Sequence, residues 1–164
     1  MNSIESLKND KGEIEKENIK KIIPYKDSFL YIDKVLSVDK KKIIAIKEVK
    51  EDEYWVSGHF ADFPVMPGAL IVEGFGQAST LLIRNNLENH ENYDVLAYKI
   101  TSAKFYRPTF PGQTIRFEIK LRFKFKLAWF VKGKVFREGK IISKAKMVLA
   151  VVDRKKFRGR YSKK

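Results

Sequence analysis

Residues 68–87, GALIVEGFGQASTLLIRNNL, decide the fold. The run lacks alternation of apolar and polar side chains and is apolar on most sides until Arg84. A helix that is hydrophobic nearly all round is a buried helix. Pro67 suits its first position, because the missing N–H would be unpaired there anyway. Gly74 and Gly76 each cost about 1 kcal/mol against Ala in a helix interior. They point to close approach of a strand or a second subunit, or else to a locally weakened helix.

The flanks read as strands. From Ile115 to Phe125 apolar residues alternate with Arg116, Glu118, Lys120, Arg122 and Lys124, the period-two pattern of an antiparallel strand with one wet face. This reading turns Phe123 and Phe125 toward the core. Further strands are expected over Phe29–Val38, Ile43–Val49, Leu96–Tyr106, Trp129–Phe136 and Ile141–Val152, with a hairpin turn at Arg137–Lys140 where Gly139 can take a positive φ. One buried helix among five or six antiparallel strands makes an α+β fold whose sheet wraps a long central helix.

The 164 residues make one domain, and 44% hydrophobic content can bury a sizeable core. No cysteine is present, which excludes disulfides, thiolate metal sites and a Cys nucleophile. Two histidines, His59 and His90, leave little room for a His-built metal centre, and His90 is expected on an exposed loop. No apolar run approaches a membrane span and no signal-peptide core precedes the domain, so a soluble cytoplasmic protein is expected.

Lys and Arg number 34 against 20 acids, a net charge of +14, half of which sits on Arg154–Lys164. Residues 1–17 read as a polar N-terminal arm or short helix, 18–153 as the domain and 154–164 as a solvated basic tail. The charge demands an acidic partner without naming it. Nucleic acid is not expected, since no recognition motif accompanies the charge. Stable membrane insertion is not expected either, because the tail is short and interrupted by Gly159.

Chemistry concentrates in residues 57–78. His59 is the only histidine in an apolar context, and Glu73 lies about a turn and a half into the expected helix. A carboxylate there must be paired, hydrogen-bonded or protonated. Gly68 falls at the helix N-terminus, where free N–H groups polarise a carbonyl oxygen. Together these form an acid–base set with an oxyanion-type donor. Read from the residues alone, His59 is equally a satisfied buried group, and Glu73 a bridge at a subunit interface.

The pattern His59-Phe60-x-x-x-Pro64-Val65-Met66-Pro67-Gly68-x-Leu70-x-x-Glu73-x-x-x-Gln77 strongly resembles the signature of the 3-hydroxyacyl-(acyl carrier protein) dehydratases of fatty acid synthesis, in their Glu-bearing FabZ branch. Segments 22–35 and 103–112 extend the resemblance to about residues 18–153. It implies a hot-dog fold and removal of water from 3-hydroxyacyl thioesters, in a homodimer or trimer of dimers. His59 would exchange the α-proton, and Glu73 of the other subunit would protonate the departing hydroxyl. The N–H of Gly68 would bind the thioester oxygen, and Gln77 would orient Glu73. Phe75, Leu82 and Ile83 are candidates both for lining an acyl tunnel and for helix packing. No metal or redox cofactor is implied; the substrate arrives on the phosphopantetheine of acyl carrier protein, an acidic partner that a basic rim including Lys104 and Arg107 would steer.

The chain departs from the pattern at Tyr25-Lys26, where the family usually has His-Arg, and at Ala61-Asp62, where it usually has Pro-Gly. Another carries Lys99 in place of a usual Gly. The rival readings are a hot-dog thioesterase, a CoA-linked enoyl hydratase and a basic nucleic-acid-binding module. The hydratase branch's Asp-x-Asn-Pro-x-His pattern is absent.

Overall fold

A computed structural model describes residues 4–162. In chain order the elements are β1 (Ile14–Glu15), α1 (Lys16–Ile22), β2 (Lys34–Val38), β3 (Lys42–Glu48), α2 (Gly68–Arg84), β4 (Tyr93–Phe105), β5 (Thr114–Phe125), β6 (Ala128–Arg137), β7 (Lys140–Asp153) and α3 (Arg154–Tyr161). The strands form one seven-stranded antiparallel sheet in the order β1-β2-β3-β5-β6-β7-β4, curved around α2. This is the expected α+β arrangement with one long central helix.

The helix enters the sheet through two glycines. A Cβ on Gly74 would lie 2.7 Å from Cζ of Phe117 on β5, so the glycine admits that ring. Gly133 on β6 does the converse: a Cβ there would strike the carbonyl oxygen of Glu118 and approach Cε2 of Phe75 to 2.9 Å. Phe75 and Phe117 are both fully buried, each contributing about 1.5–3 kcal/mol from apolar area removed from water. Gly76 is less constrained, with Met147 Cε at an ordinary 3.5 Å. The β6–β7 hairpin turns as expected, with Glu138 and Gly139 both at positive φ (49° and 74°), the geometry that matches strand twist.

Several expectations need correction. The alternation of β5 holds only to Leu121. A bulge between Leu121 and Phe123 shifts the register by one residue, so Phe123 pairs with Phe130 on the outer face and Phe125 also points away from the core. A single inserted residue flips every later side chain. Of the expected first strand only Lys34–Val38 is strand, and Phe29 closes a 3-10 turn over Asp27–Phe29. Residues 4–15 do not stand off as an arm: Ile4–Leu7 is a short 3-10 helix, Ile4, Leu7 and Ile14 are buried, and β1 pairs with β2.

His90 is not an exposed loop residue. It is half-buried, with its carbonyl oxygen accepting from Arg84 Nη1 at 2.7 Å, and burial with the nearby guanidinium pushes its imidazole pKa down. The basic tail begins as α3, capped by Asp153, whose carboxylate accepts from the N–H of Lys156 at 2.8 Å. Arg154 and Arg158 reach back to Asp94 at 3.1 and 2.7 Å.

Candidate active site

His59 lies in the irregular segment between β3 and α2, held at both ends of its residue. Its N–H donates to the carbonyl of Trp55 at 2.8 Å, and its ring Nδ1 lies 2.6 Å from the carbonyl oxygen of Val65. A carbonyl can only accept, so Nδ1 carries a proton, and in the neutral ring the lone pair is on Nε2. Phe60 follows at φ 55°, an unusual conformation for a bulky residue; its ring packs edge-on against the imidazole at 4.7 Å between centroids.

Beneath this segment lies a buried ionic hub that sequence reasoning missed. Glu53 accepts from Lys47 Nζ at 2.7 Å, from the Lys50 N–H at 2.9 Å and from Trp55 Nε1 at 2.9 Å. Lys47 on β3 is itself buried. The hub therefore ties the indole of Trp55, and through its carbonyl the backbone of His59, to the sheet. An inward Lys on a strand, with Glu six residues on, was the available signal.

Helix α2 starts at Gly68 with Pro67 as its cap residue, one position later than expected. The first N–H groups of a helix have no intrahelical acceptor. The ring of Phe105 on β4 covers Gly68 so closely that a Cβ would meet it at 3.0 Å. The preceding loop is pinned by the Met66 N–H, which donates to the Thr109 carbonyl at 2.7 Å.

One turn and a half along α2, Glu73 Oε1 accepts from Gln77 Nε2 at 2.9 Å. Gln77 is 1% exposed. Its other donor goes to the Phe29 carbonyl at 2.7 Å, and its oxygen accepts from the Tyr31 N–H at 2.8 Å. The Tyr31 N–H can only donate, so the amide has one allowed orientation, with an N–H directed at Glu73. Nearby, burial and then the charge of Glu73 raise the pKa of the Tyr25 phenol.

Gln77 and Glu73 are thus brought together, while His59 and Glu73 of one chain share no hydrogen bond or ion pair among the described residues. Phe75, Leu82 and Ile83 are fully buried within the chain, packed between helix and sheet. Hollows of about 680 Å³ beside Arg84 and about 590 Å³ on the outer sheet face contain neither His59 nor Glu73. Among the described residues no three His, Asp or Glu side chains are placed to share a metal ion.

The sequence model of the FabA-like domain matches residues 23–146. The chain is 39% identical over 103 residues to the 3-hydroxyacyl-(acyl carrier protein) dehydratase FabZ of Solibacter usitatus, covering 63% of this chain and 64% of that one, slightly less than two thirds of its length. Against the FabZ of Clostridium kluyveri it is 40% identical over 108 residues, covering 64% and 73%. Among solved structures, the dehydratase heterocomplex ApeI:P from Xenorhabdus doucetiae superposes with a TM-score of 0.69 at 12% identity, over 88% of this chain and 97% of that one. The PaaI protein from the phenylacetic acid degradation operon of E. coli gives 0.57 at 14%, over 71% and 80%. At such identities these two support the hot-dog fold alone. With its family model spanning most of the chain, and His59, Gly68, Glu73 and Gln77 all inside the matched region, the chain belongs to the FabA-like family.

Proposed function

We propose that the protein is a hydro-lyase that removes water from 3-hydroxyacyl thioesters on acyl carrier protein, giving trans-2-enoyl thioesters for fatty acid synthesis. The observation that carries this reading is the 2.6 Å contact of His59 Nδ1 with the Val65 carbonyl oxygen, which calls for Nδ1–H and makes Nε2 of the neutral ring the base. Nε2 takes the α-proton while the thioester oxygen, gaining enolate character, receives the N–H of Gly68. Glu73, in its protonated form, gives its proton to the 3-hydroxyl as the C–O bond breaks and water leaves. The fixed amide of Gln77 holds Glu73 for that transfer. No cofactor enters this scheme.

His59 and Glu73 meet in this reading across a homodimer. Strand β4 supports it: thirteen residues long, it is a sheet edge whose other side pairs with no strand among the described residues, with Tyr98 75% and Ile100 52% exposed. Such an edge is a template for a second copy. The acidic carrier would be met by the outer sheet face, where Lys104, Lys144 and Lys134 lie opposite one another on successive strands, as do Lys146, Lys132 and Lys120. Like charges directly opposed across a ladder are unfavourable unless an anion sits over them.

The test follows hydration of an enoyl-carrier thioester, the reverse direction, with wild type, His59→Ala and Glu73→Gln. Turnover by the wild type and its loss in both variants is expected. A wild type inert toward every carrier and CoA thioester would overturn the enzyme reading.

A further inference from the structure

At the β5–β6 hairpin tip, Arg122–Leu127, the alternation expects Phe123 and Phe125 in the core, and the structure puts both in solvent. Phe123 is 56%, Phe125 63% and Leu127 61% exposed, three large apolar side chains within five residues. Between and beside them stand Arg122, Lys124 and Lys126, all exposed. The ammonium of Lys126 lies 5.4 Å from the centre of the Phe125 ring, and that of Lys124 lies 5.0 Å from Trp129.

The same end of the sheet carries the basic helix. The N–H of Val151 on β7 donates to the Leu127 carbonyl at 2.9 Å, and α3 starts only three residues later. Arg154 and Arg158 of α3 are occupied by Asp94. Lys155, Lys156 and Arg160 are exposed, as is Tyr161. Neither 122–127 nor 154–161 contains an acid.

We propose that this end of the molecule docks on an anionic phospholipid bilayer. The tips of Phe123, Phe125 and Leu127 enter beneath the headgroups, while Arg122, Lys124, Lys126, Lys155, Lys156 and Arg160 lie at the level of the phosphates. Apolar burial and attraction to anionic lipid are the two terms by which interfacial segments bind. The association is peripheral; no helix among the described residues is long and apolar enough to span a membrane.

Other occupants satisfy only one half of the surface. A second copy would set these cations against their own kind, with no carboxylate in either segment to relieve them. A polynucleotide would suit the cations, but base stacking needs open ring faces. Phe123 is already stacked on Phe130 at 4.2 Å, and aliphatic Leu127 offers no ring. The proposal explains the charge of the tail and does not rest on the dehydratase reading.

The experiment is co-sedimentation of the full chain with vesicles of phosphatidylcholine alone, and of phosphatidylcholine with an equal amount of phosphatidylglycerol. Binding is expected only to the mixed vesicles. The triple variant Phe123→Ser, Phe125→Ser, Leu127→Ser should lose at least about tenfold in vesicle affinity. Lys155→Glu, Lys156→Glu, Arg160→Glu should lose both affinity and most of its salt dependence. Both should keep wild-type turnover on a soluble enoyl thioester. Because the chain has no cysteine, Leu127→Cys introduces a single thiol for an environment-sensitive dye, independent of how the triple variant folds. Its emission should shift to the blue on mixed vesicles. Failure of the wild type to sediment, an unshifted dye, or undiminished binding by the apolar variant would overturn the proposal. So would a fall in the mass of the assembly on losing the apolar tips, or loss of oligonucleotide rather than vesicle binding.

Discussion

Gln77 donates a hydrogen bond of 2.9 Å to Glu73, and the amide that does so is locked by the backbone of Phe29 and Tyr31. The orientation of the candidate acid is therefore set by a segment more than forty residues away in sequence. Gln77→Leu removes all three bonds and leaves the Tyr31 N–H and Phe29 C=O unpaired. A loss of about 1–3 kcal/mol in urea unfolding is expected from the buried Tyr31 N–H so orphaned. Turnover should fall further than stability alone accounts for, measured well below the unfolding transition.

The two helix glycines should separate cleanly. Gly74→Ala forces the fully buried Phe117 ring away from 2.7 Å and should destabilise by about 1–3 kcal/mol. Gly76→Ala meets Met147 at 3.5 Å and should be neutral or stabilising by up to about 1 kcal/mol. Urea midpoints for the two variants check this directly.

Asp94 gives the stability a defined acid dependence. The hydrogen bond from Arg158 first, with its charge and then Arg154, holds the carboxyl below its ordinary value against the opposing effect of burial. A depressed folded value means stabilisation that is fully present above the unfolded pKa, about 3.9. It is lost as pH falls through the folded value. Asp94→Asn should therefore be less stable than wild type near neutrality, with the gap closing in stronger acid. Urea unfolding across that range would show a constant gap if the ion pairs contribute nothing.

If the lysine rows steer an acidic carrier, Lys104→Glu with Lys144→Glu should raise KM for a carrier-bound substrate about tenfold at low salt and leave kcat unchanged. The difference should shrink as salt rises, and a small pantetheine thioester should be unaffected. Steady-state kinetics with both substrates separates docking from chemistry.

The central helix was legible because an all-round apolar run has one stable location, and the motif on it carried Gly68, Glu73 and Gln77 with it. The outward turn of Phe123 and Phe125 was not, because a bulge leaves no mark in an alternating pattern: RFKFK reads the same in either register. The burial of Ile4, Leu7 and Ile14 was hidden by the charged residues between them. The Glu53 hub was hidden for another reason. Its partners Lys47, Lys50 and Trp55 all lie within six residues of Glu53, but in a stretch dense in charge nothing singles out the one carboxylate that turns inward.

The central claim is an acid–base site that takes His59 from one chain and Glu73 from its partner. It is tested most directly by mixing the inactive variants His59→Ala and Glu73→Gln under conditions of subunit exchange. Each mixed dimer then holds one site with both residues intact and one with neither. Random exchange of equal amounts makes half the dimers mixed, so enoyl-thioester hydration should return to about a quarter of the wild-type rate. A mixture that stays inactive after exchange is verified by mass would contradict the shared site.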